Sequence, residues 1–76
     1  MTPEFETELR RLQAAERAAL REVWAARAAY RRGGSLEAID AAIGRWRAAD
    51  AALREHWVPM MQAQLAAEVE TALAGA

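Results

Sequence analysis

Glu16 and Asp50 are the residues of this chain with the most capacity for chemistry, because each interrupts an otherwise apolar helical stripe. Two carboxylates on one seam can hold a metal ion, or they can be neutralised by arginines. Bundle di-metal sites add a Glu-x-x-His unit to such inward acids. That unit is missing here: His56 follows Asp50 by six residues and lies on another face. Arginines are at hand instead. Arg54 stands four residues after Asp50 and Arg47 three before it, both good spacings for an ion pair along a helix. Glu16 has no such neighbour in its own helix and would take Arg47 or Arg54 across the seam. The favoured reading is therefore a buried, charge-neutral network that sets register and partner choice more than it adds stability. Arg27 and Asp40 extend it as a salt bridge near the chain reversal. A metal site at Glu16 and Asp50 is the minor alternative.

No other set of residues converges on catalysis. Ser35 is the one serine, and its position suits a helix cap; His56 has no nucleophile at useful spacing. Gly33-Gly34 reads as a turn and not as a phosphate loop. The expectation is no enzyme and no cofactor. A further feature is the row Arg10, Arg17 and Arg21 with Arg31 and Arg32 along helix 1, which could meet a nucleic-acid backbone. Ten arginines without a lysine, beside twenty-one alanines, also match the coding bias of a GC-rich bacterium or its phage. The net charge of -1 argues against a dedicated nucleic-acid binder.

These residues must be positioned by helices, since Ala, Leu, Glu, Arg and Gln dominate and all favour that conformation. Thr2 caps helix 1, Pro3 occupies its first position, and Arg31-Arg32 suit its C-terminus. The expected elements are helix 1 over about 3-32, a turn at 33-35, helix 2 over about 36-57 and a helical extension over about 59-74. Pro59 removes a backbone donor, and the expectation is a kinked continuation there. Helix 1 would be roughly 45 Å long, too long to stand without a partner in water.

Apolar spacing gives the pairing. Helix 1 carries Phe5, Leu9, Leu12, Leu20, Val23, Trp24 and Tyr30, and helix 2 carries Leu36, Ile39, Ile43, Trp46, Leu53 and Trp57 at heptad spacing. With the reversal at Gly33-Gly34, opposed residues carry numbers adding to about 66 or 67, since antiparallel helices climb at one rate. That rule pairs Tyr30 with Leu36, Val23 with Ile43, Leu20 with Trp46, Leu9 with Trp57, Phe5 with Met61, and Glu16 with Asp50. Alanine ridges (Ala19 and Ala26; Ala42, Ala49 and Ala63) flank the large residues and offer each helix a second contact face.

Seventy-six residues without cysteine make one small domain with no disulfide or thiolate staple, which leaves self-association. Past Met61 no helix 1 remains to cover Leu65, Val69 and Leu73, so these, with Met61 and with Trp57 as an anchor, form the expected interface. No segment is long and apolar enough to span a bilayer, and the acidic Trp57-Leu73 stretch would not seek an anionic one. The expectation is an all-α antiparallel hairpin with a kinked C-terminal extension, assembling into a four-helix bundle or larger oligomer. Its function would be that of a cytoplasmic scaffold, adaptor or assembly protein whose partners are itself, a dimer being favoured, and another protein. The alternative is a nucleic-acid-associated hairpin, either a dimeric RNA binder or a phage DNA-packaging oligomerisation unit.

Overall fold

The computed structural model describes residues 2-75. Two helices, α1 (Pro3–Arg31) and α2 (Leu36–Ala74), pack against each other as an antiparallel hairpin. Both starts are capped as their sequences dictate. The Thr2 hydroxyl accepts from the Phe5 backbone N–H at 3.1 Å, and the Ser35 hydroxyl from the Ala38 N–H at 3.2 Å. Glu4 and Glu6 in the first turn of α1, and Glu37 in that of α2, meet the positive helix ends.

The reversal is a complete Schellman turn. Gly33 takes the left-handed conformation at φ 100°, its N–H donates to the Tyr30 carbonyl at 3.0 Å, and the Gly34 N–H donates to the Ala29 carbonyl at 2.9 Å. Gly34 is thereby drawn down beside Ala29: a Cβ at this position would lie 3.0 Å from the Ala29 carbonyl carbon and oxygen. Chain reversal happens below the tip of α1, not beyond it.

This fold-back resets the register. Phe5 stacks on His56, with ring centroids 4.2 Å apart, and Glu16 meets Trp46. The numbers of these pairs add to about 61 or 62, some five fewer than the symmetric reversal implies. Phe5 therefore faces His56 and not Met61, and Glu16 is level with Trp46 and not with Asp50. Glu22 and Arg45 do add to 67, but they are long, exposed side chains that reach across the offset.

α2 is unbroken across Pro59, so helix 2 and the expected extension are one 39-residue element. Pro59 is exposed and lies close to the level where α1 begins. From there to Ala74 the helix runs on past the end of α1, without a neighbouring helix among the described residues, giving a molecule 63 × 26 × 14 Å in extent. The core is thin. Among the described residues only Leu12 and Ala42 are fully buried, while Leu9, Leu20, Val23, Ile39, Ile43, Trp46, Leu53 and Trp57 are half-buried along the seam.

Candidate interaction surface

The polar residues of the seam do not form the expected buried network; among the described residues no charged side chain is buried. Asp50 does pair with Arg54, at 3.0 Å, one helical turn along α2. Glu16 finds a different partner. Its Oε1 accepts from the Trp46 indole Nε1–H at 2.9 Å across the hairpin, in a half-buried setting. The register offset is the cause, since it brings an indole and not an arginine to the level of Glu16. Indole N–H has no acceptor function and needs one partner when half-buried, so each group satisfies the other.

Arg47 is exposed and joins no ion pair among those seen in the described residues. Arg27 and Asp40 are likewise exposed and unpaired with each other; the Arg27 guanidinium lies instead 5.5 Å from the Trp24 ring centroid. An exposed ion pair gains little in water, and a cation over a tryptophan face three residues away competes with it. The carboxylates do not gather either. Among the described residues no group of three or more His, Cys, Asp or Glu side chains converges as metal ligands do.

His56 contributes more than its surface-like context in the sequence implies. Besides stacking on Phe5, its Nε2 lies 3.0 Å from the Phe5 carbonyl oxygen. A carbonyl only accepts, so Nε2 carries the proton. Imidazole thus clasps the first turn of α1 to α2. Nearby, Glu8 is hydrogen-bonded to Arg11, which holds the Glu8 carboxyl below its usual range and raises Arg11 further. The Arg10, Arg17, Arg21, Arg31 and Arg32 row is largely exposed and forms no ion pair among the described residues.

What the hairpin presents to its surroundings is apolar surface at its two ends. Trp24 is 55% exposed, Tyr30 44% and Leu36 57%, all near the reversal. Met61, Leu65, Val69 and Leu73 are 37, 51, 57 and 72% exposed along the overhang. Between Leu36 and Met61 no large apolar residue stands exposed. The overhang group lies uncovered, as the helix lengths in the sequence imply; Trp57, expected to anchor it, is half-buried beside His56. The reversal group departs from the core stripe in which apolar spacing puts it. One signal in the sequence speaks against that placement: Trp24 directly follows Val23, and adjacent helical residues point about 100° apart, so both cannot face one seam.

No helix is long and apolar enough to cross a membrane among the described residues. In comparisons with known proteins, no family model, no curated protein and no solved structure matches this chain.

Proposed function

We propose that this chain is a non-catalytic assembly element of the cytoplasm, working by self-association and by binding other proteins through its helix faces. One observation carries the reading: the chain exposes too much surface for its mass. A compact monomer of 8.4 kDa has roughly 4,600 Å² of accessible surface. This chain exposes 5787 Å². The excess, roughly 1,200 Å² per chain, is more than the ~800 Å² that each partner buries in a standard protein interface. Seven large apolar residues stand exposed on that surface.

Sedimentation equilibrium, which reports mass, tests this. The full chain is expected to sediment as a dimer at micromolar concentration. Truncation after Met61 removes Leu65, Val69 and Leu73 and is expected to return a monomer that keeps its hairpin helicity. A full chain that remains monomeric at all concentrations overturns the reading.

The unpaired arginine row on α1 favours a second reading, a nucleic-acid-associated hairpin. Binding to RNA or DNA that weakens steeply with added salt would support it. Indifference to both would remove it.

A further inference from the structure

We infer that two copies pair antiparallel, each laying its α2 overhang along the reversal end of the other. The inference rests on the self-association proposed above and specifies its geometry. Its starting point is where the exposed apolar residues fall. Trp24, Tyr30 and Leu36 lie at one end of the rod and Met61, Leu65, Val69 and Leu73 at the other, while the large apolar residues along the middle are at least half-buried in the hairpin's own seam. A face that served a side-by-side bundle would be apolar along its middle. Here the two ends complement each other, three large residues against four.

Charge points the same way. From Trp57 to Gly75 the chain has Glu68 and Glu70 and no cation, so the overhang is acidic. The reversal end, from Arg21 to Arg47, holds Arg21, Arg27, Arg31, Arg32, Arg45 and Arg47 against Glu22, Glu37 and Asp40. Antiparallel pairing sets acidic against basic at both ends. Parallel pairing would set two acidic overhangs side by side and two basic reversal ends side by side, which like-charge repulsion opposes.

Lengths agree as well. α2 outruns α1 from about Pro59 to Ala74, which at 1.5 Å per residue is roughly 24 Å. A shift that brings one overhang tip flush with the partner's reversal places Leu65 beside Trp24, Val69 beside Leu36 and Leu73 beside Tyr30. The arrangement is two-fold and closed: each contact occurs twice and no end is left to propagate a fibre. Covering the open ends of both chains would remove roughly 2,400 Å², within the range of obligate homodimers.

The chain has no cysteine, so introduced thiols report unambiguously. Oxidation of the full-length Leu36→Cys/Val69→Cys double variant is expected to give a covalent dimer in which position 36 of each chain is bonded to position 69 of the other. Val69→Cys alone is expected to stay uncrosslinked, because the two Val69 positions lie at opposite ends. A Val69→Cys homodimer, or a dimer by mass that yields no bond between positions 36 and 69, overturns this geometry while leaving self-association standing. A monomer by mass overturns both. An independent variant keeps the outcome decisive if the thiols disturb folding. Glu68→Arg/Glu70→Arg changes only exposed side chains and is expected to weaken the dimer by about tenfold or more, with helicity retained. Unchanged or tighter association in that variant would also overturn the pairing.

Discussion

Trp46 and Glu16 form a half-buried polar bond across the seam, and its strength is testable alone. Trp46→Phe keeps most of the apolar area but removes the donor and leaves a half-buried carboxylate without its partner. The expected loss is about 1–2 kcal/mol in urea unfolding. A change too small to measure would mean that Glu16 finds water as readily as it finds the indole. Glu8 behaves differently because it lies in solvent. Its hydrogen bond to Arg11 depresses the folded-state pKa, so the stability it adds is present above the ordinary carboxylate range and fades as pH falls through the lowered value. Glu8→Gln should therefore melt slightly below the parent at neutral pH, and the two should converge in acid. A gap that widens on acidification would contradict the assignment. The Arg54 pair of Asp50 was readable from spacing within one helix. The partner of Glu16 was not, because it depends on register between helices.

At the scale of the elements, the caps and the turn were legible because each rests on a local residue requirement. Thr2-Pro3, Gly33 and Ser35 do in the structure what their types demand. The register error comes from treating the reversal as a symmetric point, whereas the Gly34 to Ala29 hydrogen bond folds the chain back beside α1. Gly34 therefore controls more than the turn. A Cβ there would press on the Ala29 carbonyl group at 3.0 Å, and Gly34→Ala is expected to destabilise the hairpin by about 1–3 kcal/mol. A neutral result in thermal unfolding would show that the turn relaxes without resisting. Pro59 presents the opposite case. It sits within a helix that continues through it, at the cost of one backbone donor. Pro59→Ala should restore that hydrogen bond and raise stability by about 1–3 kcal/mol, read from a circular-dichroism melt. A lower melting temperature would instead give the proline a packing role.

For the molecule as a whole, the thin core and the open ends carry one message. Leu12 and Ala42 are the fully buried residues of the described chain, a core so thin that the proposed pairing would add much of the stability. The melting temperature should rise with protein concentration, because assembly stabilises the folded state by mass action. A concentration-independent melt would mean that the hairpin stands alone. The overhang was legible from the sequence because the turn and the helix lengths define it. The exposed reversal end was not, because Trp24, Tyr30 and Leu36 look like core residues until the register is known.

The shape of the folded chain has a practical consequence. A molecule 63 Å long and only 26 by 14 Å across drags more water than a sphere of equal mass. Its single copy will leave a sizing column early, at the volume of a heavier compact protein. Elution position will therefore imitate a dimer in a monomer, and tumbling in solution will be slow about the short axes and fast about the long one.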